Sequence, residues 1–135
     1  MTIPLTDNTS AAPLCGVDLE NPDTLPYAID YSLHPFYVDN FTLDEIEYCA
    51  TQRDPRLHFT ARWCAKEAVK KCLPKLFTVD NRQLEVRKRT TGAPFLVLLS
   101  AHGDKPLPVS LSLSHCGQLA IAVVVASATA VDELL

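Results

Sequence analysis

The sequence predicts an α+β fold, a single domain in which an antiparallel sheet packs against one long helix. Three observations predict it. Apolar residues recur at helical spacing over residues 56–73, they alternate at strand spacing over 109–115, and Gly- or Pro-containing turn signals separate the short strand-like runs of the second half.

In chain order, residues 1–13 predict a flexible leader and residues 14–135 the folded domain. The leader carries no Lys or Arg and no long apolar block, so it does not read as a secretory signal or a transit peptide. LCGVDLE (14–20) predicts a strand, ended by the turn-prone NPDTLP. Residues 27–41 are mixed and aromatic, and no periodicity assigns them an element.

A helix starts at Thr42, because Thr42 and Glu45 have the spacing of a capping box, in which each side chain satisfies a free backbone donor. Leu43, Ile46 and Cys49 or Ala50 form its apolar face, and TQRDPR ends it. The second helix, roughly 56–73, puts Leu57, Ala61, Cys64, Ala65, Ala68 and Cys72 on one face. Arg62, Lys66 and Lys70 then form one polar ridge and Trp63, Glu67 and Lys71 the next, with Pro74 as the stop.

Beyond it, RQLEVRKR alternates, TTGAP turns, and PFLVLL predicts a more buried strand. VSLSLSH alternates strictly, CGQ turns, and LAIAVVVA predicts a fully buried strand. These runs make two antiparallel hairpins of one five-strand sheet.

Hydrophobic residues make up 47% and charged residues 21% of the 135, the balance of a soluble globular domain. The net charge of −4 argues against a nucleic-acid partner, so an anionic ligand needs a local cluster of cations. No apolar run approaches the ~20 residues that cross a bilayer, which argues against a membrane role. The five cysteines are odd in number and form no CxxC pair, which argues against a disulfide framework or structural zinc site. They predict small buried residues in a reducing compartment, the cytoplasm.

Three constellations carry chemistry. Asp18 and Glu20 point to one face of the first strand. They read either as ligands of Mg2+, which takes hard oxygen donors, or as a solvated strand end. The second helix carries Arg62, Lys66, Lys70 and Lys71 around a single carboxylate, Glu67. That face suits a phosphate-rich ligand with Glu67 as a metal ligand, or is an exposed face with a Glu67–Lys71 pair. Ser114 and His115 end the SLSLSH strand, and both can bond phosphate oxygens. Being adjacent in a strand they point to opposite faces, which rules out a Ser–His nucleophilic dyad.

Taken together, GVDLE, then WCAKEAVKK about fifty residues on, then SLSH resembles the 4'-phosphopantetheinyl transferase superfamily. Its pattern is G-x-D, W/F-x-x-K-E-A-x-x-K and S/T-x-S/T-H. FTLDEIEYC and LEVRKRTTGAP are similar to further family segments, and the length matches the single-domain holo-acyl-carrier-protein synthase type. GVDLE is also similar to the transferase domain of fungal fatty acid synthases. One departure stands out: many relatives follow the lysine with a GTG loop, where this chain has CLPKLFTVD.

The resemblance implies the 4'-phosphopantetheinyl transferase fold and Mg2+-dependent transfer of 4'-phosphopantetheine from coenzyme A to a serine of an apo acyl carrier protein of fatty acid or polyketide synthesis, releasing 3',5'-ADP. It implies Asp18, Glu67 and Lys71 as catalytic residues, Asp18 and Glu67 with Glu20 as metal ligands, and Arg62, Lys70, Lys71, Ser114 and His115 as coenzyme A contacts. It also implies a homotrimer with shared sites, and the two-sided apolar character of 120–126 and 94–99 supports that. An inactive binder and a metal-dependent phosphohydrolase are the rival classes.

Overall fold

The computed structural model describes residues 12–130. Its elements are β1 (Leu14–Glu20), α1 (Pro35–Asn40), α2 (Leu43–Ala50), α3 (Pro55–Cys72), β2 (Leu84–Lys88), β3 (Pro94–Leu98), β4 (Lys105–Pro106), β5 (Val109–Cys116) and β6 (Leu119–Ala126). The expected leader falls almost wholly outside the described residues. Among those residues no helix is long and apolar enough to cross a membrane.

The α+β class holds, but the strands form two three-stranded antiparallel sheets, β1-β6-β5 and β2-β3-β4, and not one five-strand sheet. The closing strand β6 pairs with both β5 and β1, so the chain's first and last strands are neighbours. The other sheet gains β4, two residues long, inside the stretch that carries no sequence signal.

The capping box is present in full. Thr42 Oγ1 accepts from the Glu45 amide at 3.2 Å, and Glu45 Oε1 accepts from the Thr42 amide at 3.0 Å. In α2, Ile46 and Cys49 are buried as their spacing predicts, but Leu43 is exposed and Glu45 is buried in its place. The unassigned 27–41 stretch contains α1, short and opened by Pro35, with His34 Nδ1 accepting from the Phe36 amide at 3.1 Å.

Two expectations fail on burial. The strand β6 is not buried on both faces: Ala120, Ala122, Val124 and Ala126 are buried, while Leu119, Val123 and Val125 are exposed. Its inner face meets α3, and among the described residues its outer face is left uncovered, because the helices lie on one side of this sheet. The polar ridge of α3 is not solvated either. Arg62 is 4% exposed and Lys66 fully buried, because α1 and α2 cover that flank of the helix. Of the cysteines, Cys49, Cys64 and Cys72 are buried as expected, but Cys15 and Cys116 are exposed at the sheet surface.

Two apolar cores flank α3. One packs Cys64, Ala68 and Cys72 against Ala122, Val124, Leu84 and Leu96. The other is aromatic, with Tyr37, Phe41 and Phe59 fully or almost fully buried beside Leu25 and Ile46. Small residues on the first face let the helix lie close to the sheet. Gly16 shows how close: a Cβ there would sit 2.1 Å from the Ala68 carbonyl oxygen. Only a glycine admits that approach of strand to helix backbone.

Candidate functional site

Gly16 seats β1 against the last turns of α3, and two residues later Asp18 faces the same helix. Lys71 Nζ donates to Asp18 Oδ1 at 3.0 Å and to the Val17 carbonyl oxygen at 3.1 Å. The pair is open, with the Lys71 side chain 52% and that of Asp18 16% exposed. Glu67 lies one turn before Lys71, on the same edge of the helix, and is half-buried.

The Cys64 thiol reports who gathers here. Burial pushes it up to about 12, and the charges of Asp18, Glu20 and Glu67 push in the same direction. Three carboxylates from two elements therefore act on one buried thiol. Asp18 and Glu20 share the α3-facing side of β1, as the strand register requires.

Among the described residues, no three His, Cys, Asp or Glu side chains are close enough to form a ready three-ligand metal site. The donor set nevertheless fits Mg2+. That ion is bound through one or two carboxylates, its octahedron completed by waters and substrate phosphates. Hard oxygens around an open position, with a displaceable cation, suit it better than a soft-metal site.

A second locus forms at the other end of α3. Arg62, His58, Lys88, Leu113 and His115 line a cavity of about 220 Å3. The Arg62 guanidinium lies 4.4 Å over the Tyr48 ring, and Lys88 lies 4.6 Å over the same ring and bonds its hydroxyl. Arg62 Nε is buried and has no hydrogen-bond partner among the described residues. A buried, under-bonded guanidinium beside a second cation is prepared to take an anion. His58 is pushed below its usual value, first by burial and then by Arg62, Lys88 and His115.

The expected residues thus divide. Asp18 and Lys71 meet at one locus, with Glu20 on the same face of β1 and Glu67 one helical turn before Lys71. Arg62 and His115 meet at the other, with His58, Lys88 and Tyr48, which the sequence reading missed. Lys88 sits in a run of cations, RKR, the one signal that could have found it. Lys70 joins neither locus: its Nζ donates to Asn81 Oδ1 at 2.7 Å. Ser114 pairs with Ile121 on the sheet's outer face, away from His115.

Lys66, in the middle of the helix motif, contacts neither locus. Its Nζ donates to Glu45 Oε1 at 2.6 Å, to the Asn40 carbonyl at 2.9 Å and to the Asn81 carbonyl at 2.8 Å. All three ammonium donors are satisfied, so this lysine ties α2, the end of α1 and the 81 turn to α3.

Residues 74–78, where the family resemblance leads one to expect a GTG loop, form a 3-10 helix opened by Pro74. Leu76 at its centre is buried.

Comparison with known proteins gives a consistent picture. A family model described as 4'-phosphopantetheinyl transferase superfamily matches residues 14–124. The chain is 32% identical over 135 residues to fatty acid synthase alpha subunit pkiB of Emericella nidulans, covering 90% of this chain but only 7% of that protein's length. It is 32% identical over 123 residues to a holo-[acyl-carrier-protein] synthase of Ruminiclostridium cellulolyticum, covering 84% of this chain and 91% of that one. Among solved structures, a holo-(acyl-carrier-protein) synthase from Bacillus anthracis in complex with CoA (3',5'-ADP) aligns with TM-score 0.63 and 26% identity, over 84% of this chain and 95% of that one.

Proposed function

The chain belongs to the 4'-phosphopantetheinyl transferase superfamily, and on that premise we propose that it transfers 4'-phosphopantetheine from coenzyme A to a serine of an apo acyl carrier protein in the cytoplasm, releasing 3',5'-ADP. The observation that carries the reading is the 3.0 Å contact between Lys71 and Asp18. It joins the first strand motif to the helix motif, 53 residues apart, at an open edge with Glu67.

Asp18 and Glu67, with Glu20 beside them, would hold the Mg2+, which when bound neutralises charge on the pyrophosphate. The remaining chemistry belongs to the chain. Transfer of this kind depends on placing the nucleophile in line and offsetting the charge that develops on the leaving oxygen. Lys71, half exposed and held among the described residues by Asp18 and the Val17 carbonyl, would turn to that oxygen and stabilise or protonate it. Glu67 accepts the proton of the attacking serine. The nucleophile comes from the carrier, so none of the cysteines is required. Two of those flanking the site, Cys64 and Cys72, are held as neutral thiols by burial.

The second locus supplies anion recognition. Arg62 and His115 face one cavity with Lys88, a grouping suited to a phosphate of the coenzyme. Lys70 and Ser114 would serve coenzyme A only across a subunit boundary or after leaving their present partners.

We further propose a homotrimer. The outer face of β1-β6-β5 exposes Val17 (51%), Leu19 (55%) and Val125 (42%), an apolar strip that neighbouring chains would cover. Light scattering at micromolar concentration checks it, and a fully active monomer overturns it.

The function is tested by intact mass spectrometry of apo carrier proteins incubated with this protein, coenzyme A and Mg2+. Addition of one phosphopantetheine to the carrier supports it. Release of 3',5'-ADP without carrier modification would make the protein a hydrolase.

A further inference from the structure

The cavity at Arg62 keeps its cations without pairing them. Among the described residues neither Arg62 nor Lys88 has a carboxylate partner. Arg62 is 4% exposed, and its guanidinium makes one hydrogen bond among those residues, Nη1 donating to the His58 carbonyl at 3.4 Å. Its buried Nε donates to none of them. A buried cation so sparsely bonded is costly unless something other than a carboxylate steadies it.

One aromatic ring does so. The Arg62 guanidinium lies 4.4 Å from the centroid of the Tyr48 ring. Lys88 Nζ lies 4.6 Å from the same centroid and donates to the Tyr48 hydroxyl, and the His58 ring packs edge-on at 6.0 Å. Three elements meet at this ring: α2 brings Tyr48, α3 brings Arg62 and His58, and β2 brings Lys88. The negative face of an aromatic ring attracts a cation without neutralising it. The ring therefore offsets the cost of holding two like charges together and leaves most of the guanidinium donors unspent.

Arg62 and Lys88 line two cavities, and the two differ in charge. One, of about 220 Å3, has His58 and His115 in its wall and no carboxylate among its lining residues. The other, of about 350 Å3, contains Tyr48 itself with Asp44, Glu45 and Glu85. In that second cavity Glu45 is committed to Lys66 at 2.6 Å and Glu85 to Arg87 at 2.6 Å. Asp44 is exposed and lies one helical turn before Tyr48 on α2. Without the ring, Asp44 and the second oxygen of Glu85 would compete for both cations. An ion pair formed there would take the charge away from the first cavity.

We propose that Tyr48 is a positioning residue for coenzyme A: its ring holds Arg62 and Lys88 side by side and unpaired, so that both donate to one phosphate in the cavity free of carboxylates. The proposal rests on the transferase reading given above. Tyr48 does not line that cavity, so it acts through the two cations and not on the ligand. Arg62 lies nine residues before Lys71 on α3, so the effect belongs to binding and leaves the chemical step alone.

The test is calorimetric titration of coenzyme A into the wild-type protein, Tyr48→Phe, Tyr48→Leu, Arg62→Leu and Tyr48→Leu/Arg62→Leu at one Mg2+ concentration. Tyr48→Leu should weaken binding at least ~5-fold, the scale of losing a desolvated cation–ring contact. Tyr48→Phe keeps the ring face and should stay within ~3-fold of wild type. In the Arg62→Leu background, Tyr48→Leu should add less than ~2-fold, because the two residues act as one unit. Transfer at saturating coenzyme A should keep its kcat in both Tyr48 variants while the KM for coenzyme A follows the binding constant. Should Tyr48→Leu fail to fold, Tyr48→Phe compared with the same variant carrying a pentafluorinated ring makes the same comparison, since the shape is kept and the charge of the ring face is reversed. The fluorinated ring should bind coenzyme A at least ~5-fold more weakly than Phe. Unchanged or tighter binding by Tyr48→Leu overturns the proposal, as does equal binding by the two Phe rings. Full additivity in the double variant also overturns it, since Tyr48 would then act independently of Arg62. If the wild-type protein does not bind coenzyme A at all, the transferase reading falls and the positioning role with it, a result distinct from the others.

Discussion

Two ion pairs, one on each flank of α3, show how one helix divides its charges. Glu45–Lys66 is sealed, its side chains 1% and 0% exposed. Asp18–Lys71 is open, at 16% and 52%. Lys66 spends all its donors on the protein, and Glu45 accepts from Lys66, from the Thr42 amide and from the Val86 amide at 3.0 Å. Burial pushes Lys66 below its usual pKa, and the Glu45 carboxylate opposes that shift. The first pair is therefore structure, exchangeable only by unfolding. The second keeps its oxygens and its ammonium close to solvent, where a ligand can replace the partner. Five residues apart on one helix, two lysines serve unlike ends because of what packs over them.

The comparison can be broken at several points. Lys66→Met leaves Glu45 buried without its cation, and should cost about 3–5 kcal/mol of stability, the scale of breaking a buried pair from one side. Thermal or urea unfolding measures it. A loss below 1 kcal/mol would mean that water reaches the pair.

Glu67→Gln tests the open flank. It should lower transfer at least ~100-fold, the scale for a group acting on developing charge. Stability should hold, since Glu67 is half-buried at the edge of the helix. Transfer within a few-fold of wild type would remove Glu67 from the site.

Lys71→Ala should cost only about 0.2–1 kcal/mol of stability, as exposed pairs do. Its effect on turnover should appear in kcat more than in the KM for coenzyme A, because a leaving-group contact acts mainly in the transition state. A pure rise in KM would make it a ground-state phosphate contact.

The smallest effect concerns pH. The folded-state pKa of His58 lies below its unfolded value, through burial and then the cations Arg62 and Lys88, with His115 adding in the same direction. The folded state thus favours the neutral ring. That contribution is complete above about pH 6.5 and is lost as pH falls through the folded-state value. His58→Gln should flatten the decline of melting temperature below pH 6.5, and an unchanged slope would contradict the assignment.

Much of this fold was legible because its signals are local. The strand Leu14–Glu20 and the Thr42 cap depend on spacings of two and three residues, and the structure shows both as read. The burial of Arg62 and Lys66 was not legible, because their partners lie far off in sequence: Glu45 is 21 residues from Lys66. A helix ridge of cations reads as solvated until α2 is known to cover it. For the same reason β6 reads as buried on both faces, since its sequence does not say that the helices cover one side alone. The α1 helix was missed because its cap is a histidine, a residue outside the usual N-cap set.

Within the site, Asp18, Glu67 and Lys71 are grouped by the resemblance alone, and the structure shows the Asp18–Lys71 contact. The cavity of Arg62, His58, Lys88 and His115 was not legible, since it joins α3, β2 and β5. The role of Gly16 was also hidden. It reads as part of a motif, and only the lack of room for a Cβ, which would lie 2.1 Å from the Ala68 carbonyl oxygen, shows that it lets the strand carrying Asp18 lie close over the helix.

The central claim is that Asp18 and Glu67 form a Mg2+ and pyrophosphate site. Calorimetric titration of coenzyme A, with and without Mg2+, tests it most directly on the wild-type protein and on Asp18→Asn/Glu67→Gln. The account predicts that Mg2+ tightens binding to the wild type at least ~10-fold, the scale of a charged contact at a partly buried site, and leaves the double variant unmoved. Equal Mg2+ dependence in both proteins would contradict it.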